Sequence, residues 1–369
     1  MFTIKQITGR KILNSVGQET LEVRLELATG YVARASVPEG YSKGETEACY
    51  APVHQSIQHI TNLNQQLTGL SFHSLAAFDQ ELIRKAGEQK KLLGANTTLA
   101  CSIAFARAAS QQLHTELYDF LRTSYELPKT HHMPKLMVLA FEGGDHAHSK
   151  QAIQEILMIA ETIEIGKRYY ELLKSKLVAL NKSTAVGTEG GFCPSDTSTE
   201  EALSYAFDVC PFISLDVAGH GHPHAAAEFM SIEKAYTFYS VEDPYETNEK
   251  ALWQALVASQ STLVIADDLT TTNTKLIASC AEKKMAQAAI IKPNQVGTIT
   301  ESIEAVHEAR VHGWKIICSH RGQETNDDFI ADFAYAVSSD LVKFGGFSRG
   351  ERIAKYNRLL TIRVLEHHA

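Results

Sequence analysis

Between Phe212 and Gly346 one pattern recurs: a short β-branched or apolar run that stops at a charged residue. The run from Phe212 stops at Asp216, that from Tyr236 at Glu242, and that from Thr262 at Asp267. Ala288 to Ile291 stops at Lys292, Lys315 to Ser319 stops at His320-Arg321, and Lys343 marks the sixth. The steps are 26, 25, 25, 28 and 23 residues, the length of a strand, a helix and two loops. Most intervals carry helical periodicity, as in Asn248 to Ser259 and Thr298 to Val311. Strands alternating with helices predict a parallel sheet covered on both faces. A doubly wound sheet would gather its chemistry at one switch point, whereas a (β/α) barrel presents the end of every strand at one mouth. One strand-end charge alone reads as a solvated residue; six in register do not.

Asp216, Glu242 and Asp267 at one mouth would repel one another. Sharing a hard divalent cation relieves this, and oxygen-only ligands point to Mg²⁺ before zinc. Lys292 and Lys343 then face that metal. A lysine so placed has its charged form disfavoured, which predicts a pKa for Lys292 lowered toward the range of a general base.

The 369 residues are too many for one small core and suggest about two domains. A net charge of −8 argues against non-specific nucleic-acid binding, while a small anionic substrate stays open if the mouth is locally positive. The six cysteines form no C-x-x-C pair and read as core thiols of a reducing compartment. Met1 to Ile7 reads as a strand, and no apolar run is long enough to cross a membrane, so a cytoplasmic protein is expected.

Along the chain, Thr3 to Thr8, Leu21 to Leu27 and Tyr31 to Val37 alternate as strands, the last two joined by a turn at Thr29-Gly30. Pro38 to Gly44 is a glycine-bracketed loop with the composition of a lid. Helices are predicted over Ala51 to Thr61, Ser74 to Lys85 and, as one long helix, Ala95 to Leu121. The Pro-containing link at Glu126 to Lys129 divides an α+β capping domain, 1–128, from a barrel domain, 129–369. Lys135 to Ala140 and Gln154 to Ile159 are strands too close for a helical crossover, so they are expected antiparallel. Two helices, near Ile165 to Leu180 and Thr199 to Val209, flank a short strand at Ala185 to Gly191. Phe344-Gly345-Gly346 is too weak a signal to argue from. Trp253 and Trp314 are expected in the core.

The ordered motifs Gly143-Gly144-x-His146-Ala147, Gln154-Glu155, Glu189-Gly190-Gly191, Leu215-Asp216, Val241-Glu242-Asp243-Pro244 and Asp267-Asp268-Leu269-Thr270 resemble those of the enolase family. So do Lys292-x-Asn294-Gln295-x-Gly297, Ser319-His320-Arg321, Glu324-Thr325 and Glu351-Arg352-x-Ala354-Lys355. The resemblance runs from the N-terminal hairpin to the last helix. It implies an α+β capping domain followed by a (β/α)8-type barrel that begins with an antiparallel ββαα unit.

It further implies a glycolytic lyase, phosphopyruvate hydratase, that dehydrates 2-phosphoglycerate to phosphoenolpyruvate with two Mg²⁺ ions. By position, Asp216, Glu242 and Asp267 would hold the first, and Ser42 in the lid would help hold the second with the phosphate. Lys292 would be the base and Glu189, assisted by Glu155, the acid, with His146, His320, Arg321 and Lys343 positioning the substrate.

The departures are local. Glu39, Tyr41 and Lys43 replace family lid residues, Gly322 replaces a phosphate-binding Ser, and Thr188 replaces an Asp. Glu142 and Asp145 stand where the family has Asn and Ser. The stretch between Asp216 and Glu242 is short. Glu39 facing a phosphate at about 4 Å would cost roughly 4 kcal/mol, so 2-phosphoglycerate is expected to bind poorly unless Glu39 turns toward Lys43 or the second metal. Val16 and Gln18 replace the Arg and Asn that serve the family's dimer contact; a homo-oligomer stays open, with that dimer in question. Alternatives are a related Mg²⁺-dependent enolisation or β-elimination on a phosphonate or carboxylated acid, or an inactive binding-only relative. A Schiff-base aldolase using Lys292 would have no use for three such carboxylates. His220, His222 and His224 read as a solvated remnant before they read as a transition-metal site. His367-His368 is native or a tag.

Overall fold

The computed structural model describes residues 1–40, 46–144, 150–220 and 222–368, with side chains through 366. Four N-terminal strands form one sheet in the order β3-β2-β1-β4: β1 Phe2–Leu13, β2 Glu19–Leu27, β3 Val32–Ser36 and β4 Ser71–Phe72. Period-two alternation in β2 decides its faces. Leu21, Val23, Leu25 and Leu27 are fully buried while Glu22, Arg24 and Glu26 ion-pair on the other side. Each of those apolar side chains stabilises by roughly 1.5–3 kcal/mol on burial. Helices Val53–Leu67, Leu75–Ala86 and Ala95–Gln112 pack against the sheet and one another.

The long helix predicted over Ala95 to Leu121 is two. It stops at Gln112, His114 takes a left-handed φ of 54°, and a second helix runs Leu117–Ser124. The break lets the second helix pack on a different neighbour, the helix Phe329–Ala336, where Tyr118 meets Tyr335 with ring centroids 5.1 Å apart.

The barrel closes in the order β10-β11-β12-β5-β6-β7-β8-β9. Its strands are β5 Lys135–Glu142, β6 Glu155–Ala160, β7 Ile213–Asp216, β8 Ser240–Glu242, β9 Leu263–Ala266, β10 Ala288–Ile291, β11 Lys315–Ser319 and β12 Leu341–Gly345. β6 pairs antiparallel with both β5 and β7, and every other pairing around the barrel is parallel. The interior is filled from alternating positions, Met137, Leu139, Leu157, Ile159, Ile265, Ile290 and Ile317 among them.

Two predicted strands differ. Of the run from Tyr236, only Ser240–Glu242 joins the sheet, because Tyr236 stacks on Phe207 with ring centroids 5.4 Å apart and Phe238 lies beside both. Ala185 to Gly191 is a loop with a single bridge, Val186 to Phe192, since its amides turn to a side chain instead of a ladder. The cysteines divide as well: Cys101, Cys210, Cys280 and Cys318 are buried thiols, Cys49 is exposed and Cys193 partly so. Trp253 and Trp314 are buried.

The capping sheet and its helices are locked to the barrel mouth by buried polar contacts. Arg107 grips Asp327 with two nitrogens at 2.8 and 2.9 Å and reaches Asp328. Asp79 takes both the amide and hydroxyl of Thr300, Lys90 meets Glu301 at 2.6 Å, and the backbone of Glu39 bridges to Gln323 in both directions at 3.0 Å.

Candidate active site

The mouth gathers the end of nearly every strand. Asp216 ends β7 and Glu242 ends β8; Asp267 and Lys292 follow β9 and β10; His320 and Arg321 follow β11; Lys343 lies within β12. β6 runs the other way, so its first residue, not its last, arrives at the same rim: Glu155 pairs in register with Asp216 on one side and Glu142 on the other. That reversal explains how a glutamate at the start of a strand joins groups at the ends of the rest.

Lys343 sits inside this ring. Its ammonium lies 2.7 Å from Asp216, 2.9 Å from Glu242 and 3.0 Å from Glu155, all four residues being buried. Burial alone would lower its pKa, but Asp216, Glu155 and Glu242 raise it well above the usual lysine value. Lys292 donates to Asp267, whose other oxygen accepts from Gln295 at 3.3 Å. With Asp267 as its nearest charge, Lys292 stands above the usual lysine value: burial pushes its pKa down, and the Asp267 carboxylate overrides burial and raises it. The lowering expected above belongs to a site in which a cation also faces Lys292. The three carboxylates are thus shared between two ammonium groups.

The donor set fits a hard cation. Glu242 Oε1 is buried with no hydrogen-bond partner among the described residues, and burial and then Asp216 push its carboxyl well up, as expected of an oxygen left short of positive charge. Beside it, oxygens of Asp243, Asp267 and Asp268 come within 4.8 Å of one another. Asp243 also accepts the Asp267 and Asp268 amides, at 3.1 and 2.8 Å, and so holds the turn that presents Asp267.

The second half of the mouth handles protons. Arg352 donates to His320 Nδ1 at 2.9 Å, so the imidazole keeps its proton on Nε2 and points it at Glu189 Oε2, 3.0 Å away. Burial holds His320 neutral, its pKa lowered to about 4. Arg352 also takes the carbonyls of Arg321 and Gly322, each at 2.6 Å, and Arg321 reaches Glu47 with two nitrogens and Asn294 with one. Glu324, paired with Lys355 at 2.9 Å, accepts the Arg321 amide and so fixes that turn.

Of the residues expected here, Asp216, Glu242, Asp267, Lys292, Lys343, Glu155, Glu189, His320 and Arg321 lie around this mouth, but the converging sets of ligand atoms among the described residues are Asp243-Asp267-Asp268 and Glu155-Glu189-His320, not Asp216-Glu242-Asp267. Ser42 and His146, like Lys43 and Asp145, lie outside the described residues. His220 meets Glu246 at 2.9 Å, and among the described residues no converging set of ligand atoms includes it, His222 or His224. The turn carrying Val16 and Gln18 is folded on Asn14 Oδ1, which accepts both amides, and Ser15 ties it to Glu324.

Sequence reasoning missed Glu47, whose isolated position three residues past the lid carries no pattern. It also missed the roles of Asp243 and Arg352 and of the glycine pair after Phe344. Gly346 donates its amide to the Glu189 carbonyl at 2.9 Å, and a Cβ there would come 2.0 Å from the Gly190 carbonyl oxygen. Gly346→Ala is therefore expected to destabilise the protein by about 1–3 kcal/mol in urea unfolding, because backbone and not a flexible side chain must move.

Comparison with known proteins follows the same two parts. The family profile "Enolase, N-terminal domain" matches residues 4–121, and "Enolase, C-terminal TIM barrel domain" matches 130–220 and 221–367. Enolase of Legionella pneumophila subsp. pneumophila (strain Philadelphia 1) is 34% identical over 411 aligned positions, covering 98% of this chain and 96% of the relative. Enolase of Desulfotalea psychrophila (strain LSv54) is 34% identical, covering 97% and 96%. An alignment of 411 positions against 369 residues means the relatives carry residues this chain lacks. With both of its parts matched and the relatives aligned nearly end to end, the chain belongs to the enolase family.

Proposed function

We propose that this protein is a carbon–oxygen lyase that dehydrates 2-phosphoglycerate to phosphoenolpyruvate. The observation that carries the reading is the opposition across one mouth of Lys292, beside the carboxylates, and Glu189, hydrogen-bonded to His320. Asp216, Glu242 and Asp267 would hold a divalent cation, Mg²⁺ by their hard oxygen donors, with Ser42 serving a second. When bound, such cations supply positive charge against the charge that develops on the substrate carboxylate. Lys292 removes the proton next to that carboxylate. Glu189, with Glu155 nearby, delivers a proton to the departing hydroxyl, and His320, locked in its Nε2–H form by Arg352, keeps Glu189 oriented. Arg321, Lys343 and His146 position the anionic ends of the substrate, and Glu47 holds the Arg321 guanidinium flat.

A second reading, a related elimination on a phosphonate or carboxylated acid, is favoured by Gly322, which offers no hydroxyl beside Arg321. It is also favoured by Glu47, which already neutralises that guanidinium at 3.1–3.2 Å. The testing experiment follows ultraviolet absorbance of an enol product with Mg²⁺, using 2-phosphoglycerate beside a panel of such analogues. Turnover of 2-phosphoglycerate with the lowest KM supports the first reading, and turnover of an analogue alone replaces it with the second. No metal-dependent product from any of them leaves a binding-only relative. Localisation in the cytoplasm and a place in glycolysis belong to the first reading, and no helix of the described residues is long and apolar enough to cross a membrane.

A further inference from the structure

We propose that Glu142 is a positioning residue for Glu189: held as a neutral carboxylic acid, it clamps the loop that carries Glu189, and it releases that loop when it ionises. The inference rests on the reading of Glu189 as the acid of the reaction. Glu142 ends β5 with no solvent exposure. Its Oε1 accepts two amides of the loop, Glu189 at 2.9 Å and Gly191 at 2.7 Å. Its Oε2 is buried without a hydrogen-bond partner among the described residues and faces Gly187, where even an added Cβ would come within 2.0 Å of it. A neutral hydroxyl left unpaired costs about 1–3 kcal/mol, whereas a carboxylate with one bare oxygen in that space costs considerably more.

The surroundings agree with the geometry. Burial first, and then the charge of Glu189, push the Glu142 carboxyl up to about 8, against the pull of the Gly191 and Glu189 amides it accepts and, after them, of Arg352. The other groups facing it are Tyr170 on the helix Ile163–Ala179, Cys193 beyond the loop, and Glu155 across the β5–β6 pair. Apart from Arg352, none of these offers a cation. Tyr170 donates to the Gly190 carbonyl at 2.6 Å and Gly346 to the Glu189 carbonyl, so the loop is pinned by its carbonyls from one side and by Glu142 through its amides from the other. Ionisation of Glu142 would place under the loop a charge that its two amides and Arg352 offset only in part, Oε2 staying bare, and lifting the loop toward water relieves it. An Asn, the residue that the enolase family is expected to carry here, accepts the same amides and cannot ionise. The sensitivity is thus a property of this chain.

The test is amide hydrogen exchange on the purified full-length protein, read in peptides spanning residues 187–191 and corrected for intrinsic rates. Measured at about pH 7 and about pH 9.5, loop protection is expected to fall about tenfold or more in the wild type and to stay level in Glu142→Gln. The kcat for the dehydration falls over the same range in the wild type, with KM little changed, and holds in the variant. Level protection in the wild type, or an equal fall in Glu142→Gln, overturns the proposal; the wild-type arm needs no variant to fold. If 2-phosphoglycerate is not turned over, the functional reading fails while the exchange arm still decides the clamp. If turnover proceeds with flat exchange, the clamp alone fails.

Discussion

Lys292→Ala is expected to abolish exchange of the substrate's α proton with solvent deuterium and to lower turnover by about 10²–10⁴-fold, the range over which a positioned acid or base acts. Lys292 follows β10, its backbone amide held by Thr272 Oγ1 at 2.9 Å and its ammonium turned into the mouth on Asp267. Among the mouth's cations, Lys343 is surrounded by three carboxylates and Arg321 is a guanidinium that does not give up its proton. On the proposed reading, proton removal therefore falls to Lys292. The contrast that makes the result specific is Glu189→Gln, which removes the acid and leaves the base. It is expected to retain α-proton exchange while losing product. Both are read by proton NMR of 2-phosphoglycerate incubated in deuterium oxide with Mg²⁺. Exchange that persists in Lys292→Ala would remove Lys292 from the role of base.

The second large effect is on stability. Lys343→Met is expected to cost about 3–5 kcal/mol in urea unfolding with a chelator present, because it leaves Asp216, Glu242 and Glu155 buried together without their ammonium. Burial already pushes Glu155 and Glu242 well above the usual carboxylate range even with Lys343 beside them, so loss of its ammonium disfavours their charged forms further. Saturating Mg²⁺ is expected to narrow the gap between variant and wild type, since the same oxygens then have another positive partner. A Lys343→Met protein as stable as the wild type under chelation would mean that the network contributes nothing to the fold.

Much of this was legible without coordinates because strand-end residues recur at a spacing only a βα unit explains. Asp216, Glu242, Asp267, Lys292, His320 and Lys343 each follow a run whose period and length were readable, and the antiparallel start followed from the short distance between β5 and β6. The misreadings share a cause. The helix break at His114 and the detachment of Tyr236 and Phe238 from β8 depend on which distant surface each apolar group meets, Phe329–Ala336 in one case and Phe207 in the other. Local propensity carries no information about such partners. For a related reason sequence could place Lys292 among like charges but could not show that Asp267 would be its direct partner.

What the chain determined by itself is the list of chemical groups at the mouth, since a barrel sends the end of every parallel strand to one rim whatever the details of its packing. Which group neutralises which was decided by tertiary structure alone. Lys343 went to three acids, Lys292 to Asp267, Arg352 to the imidazole of His320, and Glu142 to the amides under Glu189. Charge pairing in a buried site falls off over a few ångströms, and distances of that size are set by how the loops of separate βα units and the capping domain close over one another.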